Sequence, residues 1–240
     1  MAKGKIYIGT SGYSYDAWKG DFYPKELNKE KWLSFYSERF NSLEINNSFY
    51  RLPTRETFEK WAAETPEKFI FSVKASRYIT HMKKLKDPQQ PLKNFTGSAS
   101  GLGGKMGPVL FQLPGNLKKD KGKLTNFLKT AKGIKSVFEF RQPSWFGDDV
   151  YEILKEFKAG IVISSGPGFP YYEKVFGGIC YIRLHGKEKL YHSSYSDSEL
   201  KDFAAIAEDC RKKGIDTYIY FNNDALGHAF RNADTLARML

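Results

Sequence analysis

Residues 180–186 read CYIRLHG, a β-branched and aromatic run that carries an arginine and ends at a histidine. On the two-residue period of a strand, Arg183 and His185 project to the same side. Seven other short runs share this build. KIYIG (5–9) runs into Thr10, Ser11 and Gly12, and SLEI (42–45) carries Glu44 and leads to Asn46 and Asn47. FIFSV (69–73) reaches Lys74, VLF (109–111) reaches Gln112, and SVFEF (136–140) carries Glu139 and leads to Arg141. IVI (161–163) runs into Ser164 and Ser165, and TYIYF (217–221) leads to Asn222, Asn223 and Asp224.

Segments with helical signals lie between these runs. Residues 29–40 place Trp32, Phe35, Tyr36 and Phe40 on one apolar face. A segment capped by Thr54 stops before Pro66, and others end at Gly133, at Gly160 and, from a cap at Ser196, at Gly214. Residues 225–240 supply a last helix. Strand then helix, eight times, implies parallel pairing with right-handed crossovers. The rival open, doubly wound sheet announces itself with a glycine-rich phosphate loop after the first strand, and that loop is absent. The expected fold is an α/β, TIM-barrel-like (β/α)8 closed parallel barrel, a single domain over residues 1–240. Its length suits such barrels, which run to about 250 residues. Residues 87–107 carry the glycine-rich NFTGSASGLGGKMG and read as an irregular crossover on the barrel exterior.

Composition narrows the class. No stretch of about 18 apolar residues is present to span a bilayer, so no membrane role is expected. The start, MAKGKIYIGT, lacks the features of a secretion signal. Two cysteines, Cys180 and Cys210, fit neither a disulfide scaffold nor paired zinc spacings. The expectation is a cytoplasmic protein with reduced, buried thiols. A formal charge of +11 favours an anionic partner, although much of it is surface lysine such as Lys118, Lys119, Lys212 and Lys213.

In a closed parallel barrel the carboxyl ends of the strands share one side, where ligands and catalytic groups gather. Glu44 and Glu139 near apolar strand ends need compensation, either as partners of a neighbouring cation or as acid–base groups. Lys74, Arg141, Arg183 and His185 join them, with Arg51 and His81 in adjoining loops. The structural alternative is an internal salt-bridge network filling the barrel top. That explains one or two such groups well and five or six poorly. Cations outnumber carboxylates there, which suits phosphate or carboxylate better than a divalent metal. Glu44, Glu139 and His185 are the ligands if a metal is used. Aromatic and amide groups complete the rim: Tyr13, Trp18, Asn46, Phe49, Trp145, Tyr195, Gln112, Asn222 and Asn223. About half of the loop aromatics are expected only to pack the loops. No nucleophile elbow, zincin, Walker or dinucleotide motif is present.

Taken in order, GTSGYSYDAWKGDFYP, LEINNSFYRLP, FSVKASRYITH, GPVLFQLP, FEFRQPSW, YIRLHG and FNNDALGHAFRNADTL resemble the YecE-like family, domain of unknown function 72. The resemblance spans essentially the whole chain and implies a TIM-barrel-like fold and a site, without naming a reaction. Its characteristic polar positions appear here as Glu44, Lys74, His81, Gln112, Glu139, Arg141, Arg183, His185, Asn222 and Asn223. Two departures stand out. Tyr13 replaces a common tryptophan, and Ser164-Ser165 stands where relatives often carry aspartate after the sixth strand, which weakens the metal reading further.

These readings predict an enzyme acting on an anionic, phosphorylated or nucleotide-like small molecule by acid–base chemistry at the barrel mouth. Glu44, Glu139, Lys74 and His185 are its expected catalytic groups. Arg141, Arg183, Gln112, Asn222, Asn223, Tyr13, Trp18, Asn46, Phe49, His81, Trp145 and Tyr195 are its expected substrate contacts. Hydrolase, lyase and isomerase chemistry all fit. No organic cofactor is indicated, and a divalent metal is the less favoured reading. The alternative is a protein that binds or processes nucleic acid with the same basic, aromatic-lined mouth. Oligomeric state is not legible.

Overall fold

The computed structural model describes residues 2–240. Eight parallel strands form one sheet: β1 (Ile6–Thr10), β2 (Ser42–Ile45), β3 (Ile70–Lys74), β4 (Met106–Gln112), β5 (Ser136–Glu139), β6 (Gly160–Ser165), β7 (Ile179–Leu184) and β8 (Asp216–Phe221). Each pairs with its sequence neighbour, and β1 pairs with β8 from Ile6 opposite Thr217 to Thr10 opposite Phe221. The β3–β4 ladder shifts register between Phe71 and Val73, and the β1–β2 seam lacks a regular ladder. Side chains bridge it instead. Asn41 accepts from Ile8 N at 2.8 Å and donates to Ile6 O at 2.9 Å. The Tyr36 hydroxyl accepts from Thr10 N at 2.8 Å and donates to Ser42 O at 3.1 Å. Gly9 permits this close approach, because a Cβ there would lie 1.9 Å from Ser42 O. A parallel bridge between Ser11 and Glu44 completes the closure at the top.

The barrel interior is filled, as expected of this fold. Tyr7 stacks on Tyr218 at 4.8 Å, and Tyr181 leans on Tyr220 at 5.3 Å, among Leu110, Val137, Val162 and Ile179. The Tyr220 hydroxyl is satisfied by Ser42 Oγ at 2.5 Å and Ser72 Oγ at 2.8 Å. The tyrosine layer therefore seals the lower barrel, and the ionisable groups lie above it.

Seven α-helices surround the strands among the described residues: α1 (Trp32–Arg39), α2 (Arg55–Ala63), α3 (Gln89–Ala99), α4 (Lys121–Thr130), α5 (Asp148–Glu156), α6 (Asp197–Lys212) and α7 (His228–Met239). Thr54 caps α2, and Ser196 with Glu199 forms a full capping box on α6. Two expectations are corrected. The segment read as an irregular crossover contains α3, because Leu92, Phe95 and Ala99 bury one face, and tertiary burial outweighs poor propensity. Gly101 then lets the following turn rest on α2, where a Cβ would lie 2.4 Å from Arg55 O. The strand–helix alternation also fails once. Residues 166–178, with four glycines and two prolines, cross from β6 to β7 without an α-helix. A hollow of about 850 Å³ lies beside α6 on that outer flank, lined by Val175, Phe176, Ile206 and Cys210, remote from the strand ends. No helix is long and apolar enough to cross a membrane among the described residues.

Candidate functional site

Strand ends bring Glu44, Glu139, Arg183 and His185 together in a buried lower tier of the mouth. All four are at most 1% exposed. Arg183 lies between the two carboxylates. Its Nε reaches Glu44 Oε2 at 3.0 Å, its Nη2 reaches Glu44 Oε1 at 2.8 Å, and its Nη1 reaches Glu139 Oε2 at 2.8 Å. Ser11 and Tyr181 donate to Glu44 at 2.6 and 2.7 Å, and Asn46 donates at 3.2 Å. Glu139 accepts from Arg141 Nη2 at 2.8 Å, from Ser164 at 2.7 Å and from His185 at 3.2 Å. Ser164 is thus a donor to Glu139.

These contacts set the charges. Burial alone pushes the Glu44 carboxyl up, but Arg183 with the Ser11 and Tyr181 hydroxyls holds it below the usual value. Burial acts likewise on Glu139, and Arg183, Arg141 and His185 together hold it well below. Both carboxylates are ionised with their acceptor positions filled. Burial, reinforced by Arg183, brings His185 down to about 4 against the pull of Glu139, so its ring is neutral. With Asn222 Nδ2 donating to Nδ1 at 3.0 Å, the proton sits on Nε2 and faces Glu139.

A half-buried upper tier stands over this network. Arg141 stacks on Phe169, its guanidinium carbon 3.3 Å from the ring centroid, and its Nη1 is buried without an acceptor. Lys74 Nζ lies 4.3 Å over the Phe49 ring and makes no hydrogen bond or ion pair among the described residues. Burial, with Arg183 adding to it, pushes Lys74 down to about 8, and Glu139 and Glu44 resist. His81 meets the Phe49 ring edge-to-face with centroids 4.9 Å apart, and Gln112 is half-buried beside Glu139 in the strand register. Three cations therefore share the mouth with two ionised carboxylates, and the two unmatched donors belong to Lys74 and Arg141.

One further carboxylate sits close by. Asp224, just past β8, has Oδ2 3.0 Å from the Tyr15 hydroxyl and Oδ1 buried without a partner. Burial pushes it up to about 7, with Glu44 adding and Tyr15 resisting. Between the loops after β1 and β2 lies a cavity of about 360 Å³, with Tyr13, Ser14, Tyr15, Asn46 and Trp61 on its walls and Glu44 on its inner side.

The expected residues divide accordingly. Glu44, Glu139, Arg141, Arg183, His185 and Asn222 form one hydrogen-bonded cluster, and Lys74, Phe49, His81, Gln112, Tyr13 and Asn46 line or flank it. Four do not belong to a ligand surface. Trp18 is wholly buried between Tyr15 and Phe230, and Trp145 is stacked on Phe140 with its indole N–H on Leu117 O. Tyr195 packs under the loop with its hydroxyl on Ser165, and the Asn223 amide donates to Ser193 and Asn232. Each anchors a loop. Arg183 is central, but all its nitrogens are engaged by the two carboxylates, so it is a counter-ion and not a free clamp. Glu44, Glu139 and His185, the expected ligands if a metal is used, lie against Arg183 and Arg141, and a cation would be repelled there. Sequence reasoning missed Ser11, Phe169, Trp61 and Asp224. Asp224 was visible in FNND at a strand end; Phe169, in a loop after β6, carried no periodic signal.

The chain resembles other proteins along its full length. It is 28% identical to UPF0759 protein YunF of Bacillus subtilis, covering 98% of this chain and 94% of that one. It is also 28% identical to UPF0759 protein YecE of Escherichia coli K12, over 59% of this chain and 50% of that one. The crystal structure of a DUF72 family protein from Thermotoga maritima superposes with a TM-score of 0.87 at 29% identity, covering 98% of both chains. One from Enterococcus faecalis shares the fold, with a TM-score of 0.85 at 20% identity over 98% of this chain and 95% of that one. The family model described as "Protein of unknown function DUF72" matches residues 7–240, and the chain belongs to that family.

Proposed function

We propose that the barrel mouth binds a small anionic molecule, phosphorylated or nucleotide-like, and transforms it by acid–base chemistry. One observation carries the reading: Arg141 Nη1 is buried without an acceptor, and Lys74 Nζ, over the Phe49 ring, has no hydrogen-bond or ion-pair partner among the described residues. An anion supplies the missing acceptors and balances the excess positive charge. Arg183, Glu44 and Glu139 serve as the rigid base that aims Arg141 and His185. Proton transfer falls to Asp224, whose pKa of about 7 suits a general base or acid at neutral pH, in place of the saturated Glu44 and Glu139. Lys74 and Arg141 stabilise negative charge that develops on the ligand. The buried, free thiols Cys180 and Cys210 fit a reducing compartment such as the cytoplasm.

A second reading draws on the outer rim. Tyr50, Tyr78 and Met82 are 75%, 45% and 64% exposed beside Arg51, Arg77, Lys83 and Lys84, an arrangement on which a nucleic-acid strand could stack. Calorimetric titration of phosphate, sulfate and a short oligonucleotide across a salt series separates the two. A small-anion pocket gives saturable phosphate or sulfate binding with shallow salt dependence, and Lys74→Met and Arg141→Met each weaken it at least tenfold. Oligonucleotide binding that falls steeply with salt, with no response to either substitution, favours the second reading and overturns the first.

A further inference from the structure

The cavity between the β1 and β2 loops differs in polarity from the cationic part of the mouth. At Lys74 and Arg141 the unmatched atoms are donors. At the cavity side they are acceptors. Asn46 gives its amide N–H to Glu44, which leaves Oδ1 buried and without a donor. The Tyr15 hydroxyl on the cavity wall has one proton for two acceptors, Ser11 O at 2.5 Å and, behind the wall, Asp224 Oδ2 at 3.0 Å. The two regions adjoin. Glu44 forms the inner side of the cavity and also holds Arg183, and Asn46 lies three residues before Phe49, on which Lys74 rests.

A ligand that fits both regions accepts hydrogen bonds at one end and donates them at the other. We propose that the cavity is the second compartment of the mouth and takes the uncharged, hydroxyl-bearing part of the ligand, so that the ligand class is a sugar or polyol carrying a phosphate or carboxylate. A hydroxyl donates to Asn46 Oδ1, and the C–H faces rest on Tyr13, Tyr15 and Trp61. The volume of about 360 Å³ is near the lower bound of ligand pockets, about 300 Å³, and suits one sugar-sized group in place of a whole nucleoside. This inference rests on the anion reading above and extends it to the rest of the ligand.

Calorimetry with matched probes tests it: phosphate and acetate as bare anions, a panel of pentose and hexose phosphates, and a panel of sugar acids. Two variants accompany the native chain. Asn46→Leu removes the acceptor, and Ser14→Trp fills the cavity from an exposed position that no core contact depends on. At least one sugar phosphate or sugar acid should bind tenfold or more tightly than its bare anion. Both variants should abolish that advantage, and Ser14→Trp, which touches no member of the charged network, should leave the affinity for the bare anion unchanged. If the bare anions bind and no panel member binds more tightly, or if Ser14→Trp leaves the advantage intact, the second compartment is refuted and the anion site stands. If neither bare anions nor panel members bind, the anion reading falls and this inference with it.

Discussion

Replacing Arg183 with Met tests the logic of the buried network most sharply. Arg183 is the one cation paired with Glu44 among the described residues, whereas Glu139 keeps Arg141 after the change. Removing one partner of a buried ion pair costs about 3–5 kcal/mol, against a whole-domain stability of about 5–15 kcal/mol. The sign with pH follows from Glu44. In the native chain its folded pKa is depressed, so its contribution is present above the unfolded value near 4.3 and is lost as pH falls through the folded value. In the variant, only neutral donors such as the Ser11 and Tyr181 hydroxyls oppose burial, and the folded pKa rises. The contribution is then present at low pH and lost as pH rises. The stability gap between variant and native chain should therefore be widest at pH 7 and should narrow toward pH 5. Urea denaturation followed by far-ultraviolet circular dichroism measures it at both values. Adding Glu44→Gln to Arg183→Met should recover a large part of the loss at pH 7. A loss at pH 7 below about 1 kcal/mol, the range of surface pairs, or an equal gap at both pH values, would refute the reasoning.

Other outcomes follow from single residues. Sulfate affinity, measured by calorimetry because sulfate keeps its charge, should fall as pH rises above about 8, where Lys74 loses its proton, and a flat profile to pH 10 would oppose the assignment. Asp224 has a raised folded pKa, so its contribution is present at low pH and lost as pH rises through about 7. Asp224→Asn should accordingly flatten the stability profile between about pH 4 and pH 7, by at most about 4 kcal/mol, in urea titrations. Gly9→Ala forces a Cβ against Ser42 O and should destabilise the β1–β2 seam by about 1–3 kcal/mol or more, seen as a lowered melting temperature.

Much of the barrel was legible because the strands run into polar residues and a helix signal follows most of them. The period-two relation placed Arg183 with His185 and Glu139 with Arg141, and both pairs do meet in one network. What periodicity could not supply was pairing. Nothing in the spacing of Glu44, Glu139 and Arg183 told that one guanidinium would engage both carboxylates, which changes Arg183 from a ligand clamp to a support. Loop aromatics were legible as a group but not singly. Trp18 and Trp145 look in sequence like Phe49, and only tertiary packing separates the two that anchor loops from the one that faces the mouth. The helix at Gln89–Ala99 was hidden by its glycine-rich tail, since its stability comes from Leu92 and Phe95 packing and not from propensity.

The claim that the mouth is an anion site can be tested at atomic level. Crystals grown without sulfate or phosphate and soaked in selenate allow the anion to be located by its anomalous scattering. A selenate within hydrogen-bonding distance of both Lys74 Nζ and Arg141 Nη1, displaced by phosphate and absent from crystals of Lys74→Met, is the predicted result. Selenate bound only at surface lysines, with the mouth vacant at saturating concentration, would contradict it.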